Sequence, residues 1–114
     1  MCCVRTSLIF LMLLCASELA AQEQIAVVQD KRIDECSGLA SSGLQSDAVW
    51  MHNDSGDKPR LFLVGLNGET RTVCDIRKAR AVDWEDMCSF RNADQPWLLI
   101  GDIGDNQAKR TKKK

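Results

Sequence analysis

The chain has 114 residues, and a signal peptide read over its first 21 leaves 93 for one small domain, which excludes a multidomain enzyme. Five of its positive charges (Lys109, Arg110, Lys112, Lys113, Lys114) crowd the C-terminus, so residues 22–108 carry 9 positive against 15 negative side chains, a net of −6. With 45% apolar and 27% charged residues the composition is globular, and the acidic balance argues against a nucleic-acid-binding face and favours a cation or a sugar-like ligand.

At the N-terminus, Arg5 precedes a nine-residue apolar run over residues 8–16, too short for a stable membrane anchor and followed by the small residues Ala16, Ser17, Ala20 and Ala21. This pattern reads as a signal peptide cleaved after Ala21, with a secreted or periplasmic destination and no membrane span after cleavage. Cys15 lacks the preceding small residue that lipid attachment requires. Cys2, Cys3 and Cys15 leave with the signal. The remaining Cys36, Cys74 and Cys88 allow at most one internal disulfide and read as small buried hydrophobes.

From residue 24 onward the apolar residues fall in short runs closed by Gly, Asn, Asp, Ser or Pro, which is strand punctuation. Strands are predicted over 25–29, 37–41, 48–52, 61–66, 71–76, 87–91 and 97–100. Asn67-Gly68 is the strongest hairpin signal, because both residues tolerate positive φ. Helical periodicity is weak and confined to 76–82, so the chain is expected to be all-β.

Sliding the sequence by 48 residues sets Asp54-Ser55-Gly56-Asp57 on Asp102-Ile103-Gly104-Asp105, Trp50-Met51 on Leu98-Leu99, and residues 35–40 on 83–88. A repeat of this length made of four short strands is the size of a β-propeller blade. Blade one spans about 35–78, and an incomplete blade two spans about 83–106. A basic, disordered tail follows at 109–114, and 25–29 sits where a ring-closing strand is often placed. About one and a half blades cannot close a ring. The expectation is therefore a truncated or frame-shifted β-propeller fragment, with missing blades or self-association needed to complete it.

Two acidic constellations carry the candidate chemistry. One is the pair of Asp-x-Gly-Asp turns: Asp54, Asp57, Asp102 and Asp105, flanked by Asn53 and Asn106, with Gly56 and Gly104 permitting the bend. The other is the run Asp83-Trp84-Glu85-Asp86. Clustered carboxylates and amides suit a hard cation such as calcium, although the spacing is not that of an EF-hand. The same side chains also serve simply to cap turns. On a strand, Asp83 and Glu85 point to one side while Trp84 and Asp86 point to the other, so Trp84, like Trp50, is expected to pack while the carboxylate pair faces a channel. His52, the only histidine, reads as a strand-end residue that packs or donates a hydrogen bond. No serine-hydrolase elbow, phosphate-binding loop or zinc-protease motif is present.

Taken in order, Glu35-Cys36-Ser37-Gly38-Leu39-Ala40, residues 49–57, Asp83-Trp84-Glu85-Asp86 and residues 100–106 resemble a group of secreted bacterial β-propeller proteins, most without an assigned activity. The resemblance covers residues 35–106 and implies the N-terminal part of a longer propeller. More distantly the chain is similar in outline to calcium-dependent propeller lactonases and to phytase- or esterase-like propellers. That similarity implies a metal held by some of Asn53, Asp54, Asp83, Glu85, Asp86, Asp102 and Asp105. The leading expectation is an exported protein that binds a cation or polar ligand through acidic loops, without catalysis. The alternative is a metal-dependent hydrolase of lactones or phosphate esters with Asp83, Glu85 and Asp102 near the metal.

Overall fold

The computed structural model describes residues 22–106 and 108–111, so the expected signal peptide and the last three lysines lie outside the described residues. Six strands form: β1 (Cys36–Ser41), β2 (Ala48–Asn53), β3 (Arg60–Gly65), β4 (Thr70–Asp75), β5 (Trp84–Asn92) and β6 (Gln95–Asp102). The first four make one antiparallel sheet in chain order, and β5 and β6 make a separate two-stranded antiparallel sheet. No helix forms among the described residues, and 76–82, despite its weak helical period, is a turning connector with Lys78 at φ 62°.

The central strands of the larger sheet, above all β3, are buried on both faces, which explains the unbroken apolar run Leu61-Phe62-Leu63-Val64. Because side chains alternate along a strand, Leu61 faces the smaller sheet and joins Ala40, Trp84 and Met87 in a core flanked by Trp50, Leu98 and Ile100. Phe62 and Val64 face the other way and pack with Met51 beneath Val28 and Ile33 of the N-terminal segment. Phe62 is wholly buried, with the guanidinium of Arg60 4.9 Å from its ring centroid.

The predicted strand at 25–29 does not form. This segment finds one backbone partner, Gln29 N donating to Gly68 O, and contributes Val28 as a cover while Ile25 and Val27 remain exposed. Its apolar residues answer a need for burial, but no sheet edge is aligned with them. The hairpin at Asn67-Gly68 does form, with only Gly68 at positive φ (85°). Asn67 acts through its side chain instead, accepting from Glu69 N and donating to Glu69 Oε2. The β5–β6 turn uses Ala93 and Asp94, both at positive φ, with Asn92 opposite Gln95. The cysteines depart from expectation: Cys36 and Cys88 are exposed, Cys74 is half-buried, and all three are free thiols. Cys88 is paired with Leu99 and Phe90 with Trp97 on a face of the smaller sheet that is open to solvent, so a small apolar side chain there gains no burial.

Both two-strand units, β1–β2 and β5–β6, slip register near their start, between Cys36 and Gly38 and between Trp84 and Asp86. Each slip is a β-bulge, which bends the strand and re-aims one side chain, Ser37 in β1 and Glu85 in β5. The bulges bring the two sheets together: Ser37 Oγ donates to Trp84 O at 2.7 Å, and the hydroxyls of Ser41 and Ser89, 48 residues apart, meet at 2.9 Å.

Candidate cation site

The site lies where β2 ends and β5 begins. His52 is fully buried at the end of β2, its ring edge-on to Trp84 at 5.3 Å between centroids. His52 Nδ1 lies 2.9 Å from Asn53 O and 3.4 Å from Ser37 Oγ. Its Nε2 side is pressed against Gly38, where any Cβ would run into the imidazole. This histidine is thus a packed strand-end residue that fixes the chain just before the acidic turn.

Asn53 is also buried. Its Nδ2 donates to Arg32 O, to Asp34 Oδ1 and to Asp57 Oδ2, tying the N-terminal segment to the first Asp-x-Gly-Asp turn. From this anchored point Asp54 N donates to Glu35 O, and the Asp54 carboxylate meets those of Asp83 and Glu85. One oxygen from each of the three lies within 4.8 Å of the others, a separation that allows all three to ligate a single metal ion. Asp83 is 7% exposed, and its Oδ1 is buried with no hydrogen-bond partner. No Lys or Arg side chain pairs with any member of the trio among the described residues. Gly104 closes the site from the second turn. Its N donates to Asp83 O, and a Cβ there would collide with the carboxylates of Asp83 and Glu85.

Three carboxylates at this spacing repel one another by about 3 kcal/mol per pair at an effective dielectric constant of about 20. A buried, unpartnered carboxylate oxygen adds a desolvation cost of the order of 1–3 kcal/mol or more. A hard divalent cation relieves both. The donors are all oxygens, which matches calcium or magnesium and not zinc, and the one nearby imidazole is engaged in packing.

The other predicted residues lie elsewhere or do other work. Asp57 is held 2.7 Å from Arg60; burial pushes its carboxyl up, but Arg60, the Lys58 amide and Asn53 outweigh that and hold it below the ordinary range. Asp102 accepts from Asp83 N and lies 2.6 Å from Arg110; here too burial raises the carboxyl and the guanidinium brings it down, with a net lowering. Asp105 accepts from the amides of Lys109 and Arg110 and so folds the start of the basic tail back onto the turn. Asp86 is exposed and accepts from Met87 N, and Asn106 is exposed in a turn. Trp84 is buried between the sheets, and Trp50 packs beside it. The sequence reading left Arg60 aside and counted Arg110 only within the basic tail, yet these two engage Asp57 and Asp102 in ion pairs. Their only signal was a cation a few residues from each turn.

Comparison of the chain with protein-family models, curated proteins and solved structures gives no match.

Proposed function

We propose that this protein binds a hard divalent cation of the calcium type through Asp54, Asp83 and Glu85, at the seam between two stacked antiparallel sheets. The observation that carries the reading is the buried Oδ1 of Asp83, which has no partner and sits against two further carboxylates. A cation there would also join the sheets, since Asp54 follows β2 while Asp83 immediately precedes β5 and Glu85 lies at its start. The stacking itself supports a wider reading, in which the chain is the exported first part of a β-propeller. Bulges 48 residues apart, and the contact of Ser41 with Ser89 at that same offset, are what a sequence duplication would leave behind. The open apolar face carrying Phe90, Trp97 and Leu99 supports it too, because a following blade would cover that face. The hydrolase alternative finds no specific support, because the Asp102 it requires near the metal is bonded to Arg110 and to Asp83 N.

The test is a thermal or urea melt of the full chain after chelation, with and without calcium. A ligand that binds only the folded state stabilises it by about 2.7 kcal/mol at a hundred times its dissociation constant. Calcium is expected to raise the melting temperature in a saturable way, and Asp83→Asn to abolish the rise. An unchanged melt across the calcium series would remove the proposal.

A further inference from the structure

A second site lies beside the cation cluster, joined to it through Asp102, and it has the opposite charge. A half-open cavity of about 690 Å³ runs between the 76–82 connector and the start of the C-terminal tail. Its floor is apolar, formed by Ile76, Trp84 and Ile100. Val82 lines it as well and remains half exposed, an apolar side chain that the fold leaves without cover. Around the floor stand Lys78, Arg80, Lys109 and Arg110, against a single carboxylate, Asp102. In a domain whose folded part is net acidic, four cations converging on one concavity form a local inversion of charge.

The fold holds these charges in place. Asp105 accepts the backbone amides of Lys109 and Arg110, which turns the tail back toward the cavity. Arg110 is oriented by Asp102, donating Nη1 to the backbone O at 2.5 Å and Nη2 to Oδ1 at 2.6 Å. That uses two of the five N–H donors of the guanidinium. Lys78 and Arg80 make no ion pair or side-chain hydrogen bond among the described residues, so their charges are uncompensated by the protein. Lys78 is presented by a backbone at φ 62°, a conformation that places it at the tip of the connector.

We infer that this cavity binds a small organic anion, a carboxylate or phosphate monoester carried on an apolar body. The apolar floor with cations at the margin dictates both halves of that description. A cavity of this volume falls in the range used for small molecules, where apolar walls supply burial and a few charged groups fix orientation. Arg80 and the free donors of Arg110 suit the paired oxygens of a carboxylate or phosphate. Val82, half exposed in the cavity wall, with Ile76 and Ile100 beside it, offers the apolar surface for the body, and the buried Trp84 backs it from the core. The site is separate from the cation cluster, since it uses none of Asp54, Asp83 and Glu85.

Isothermal titration of the full chain with four probes tests this: 2-naphthoate, 2-naphthyl phosphate, the uncharged 2-naphthol and inorganic phosphate. At least one naphthyl anion is expected to bind tenfold or more tighter than both 2-naphthol and inorganic phosphate, and the stronger of the two anions identifies the head group. Its affinity should fall at least fivefold in the double variant Lys78→Gln, Arg80→Gln, whose melting temperature should match the wild type because both side chains are exposed. Equal binding of 2-naphthol and the anions, saturable binding of neither anion, or full affinity in the folded double variant would each overturn the inference. Should the double variant fail to fold, the four-probe ranking on the wild-type chain still decides. Adding chelator leaves the expected ranking unchanged, so failure here and failure of the cation reading are told apart.

Discussion

The two Asp-x-Gly-Asp segments share their spacing and each sits at the end of the second strand of a bulged antiparallel pair, yet the structure uses them in different ways. In the first, Gly56 takes φ 91° with open space around it, so the glycine is there for its backbone conformation. In the second, Gly104 is not at positive φ and is there for lack of room, wedged against Asp83 and Glu85. The aspartates diverge as well. Asp54 turns its carboxylate to the cluster, whereas its counterpart Asp102 is bonded to Arg110 and Asp83 N. The first turn therefore supplies a ligand, and the second supplies a wall and a brace. The local sequence provides an acidic, glycine-containing segment after a strand in both places, and the neighbours decide what each carboxylate does.

Exchanging the glycines tests this difference most severely. Gly104→Ala forces a methyl group into a buried aspartate that has little freedom to move, and overpacking of this kind costs roughly 1–3 kcal/mol. It is also expected to weaken calcium at least tenfold by displacing Asp83 and Glu85. Gly56→Ala meets no atom and pays only for its positive φ, about 1 kcal/mol, with calcium affinity kept. Urea melts and calcium titration of the two variants give the comparison directly. Similar calcium losses in both would mean that the second turn is not a wall of the site.

The aspartates come next. Asp54→Asn removes one of three anionic ligands and is expected to reduce calcium affinity roughly tenfold or more, while relieving like-charge repulsion and so leaving the metal-free chain as stable as before or slightly more so. Asp102→Asn is expected to do the reverse, lowering stability by roughly 1 kcal/mol through Arg110 with little effect on calcium. Calorimetric titration beside a denaturation curve separates the two. If Asp102→Asn weakens calcium as much as Asp54→Asn, the hydrolase-style placement of Asp102 near the metal regains its support.

Much of this architecture was legible in the residues. Runs such as 48–53 and 60–65 declare themselves through apolar content and polar punctuation, and each of the six strands overlaps a predicted one. The polar ends of β5 and β6 were missed because Glu85, Asp86, Asn92 and Gln95 have little strand preference alone and are held by cross-strand pairing. The Ala93-Asp94 turn was hidden for a related reason: its positive φ values are imposed by the tight connection and not signalled by Asn or Gly. For the site, acidity was readable but convergence was not. Asp54 meets Asp83 and Glu85 only because two sheets stack with their bulged strands facing, and nothing local to either stretch encodes that. The cationic cavity is not legible in the sequence, because 77–80 and 109–110 read as solvated charge until the tail is folded back by Asp105.

The finest test of the comparison is the pH dependence of the two arginine-paired aspartates, one in each turn. Asp57 and Asp102 both have carboxyls lowered in the folded state, so each contributes stability that is complete above the ordinary aspartate value of about 3.9 and is lost as pH falls through the folded value. Replacing the arginine leaves burial, which raises the carboxyl, without its main counterweight. The variant should therefore be destabilised at neutral pH and converge on the wild type in acid. Asp57 keeps the Lys58 amide and Asn53 as donors after Arg60→Gln, whereas Asp102 keeps Asp83 N and a weaker approach of the Val82 amide after Arg110→Gln. The Arg110→Gln deficit at a pH of about 7 is thus expected to be the larger, roughly 1 kcal/mol against about half that for Arg60→Gln, with both smaller at a pH of about 3. Urea melts at those two pH values measure it, and a deficit that persists undiminished in acid would assign the arginines to packing, as the stacking of Arg60 on Phe62 would allow in the first turn but not in the second.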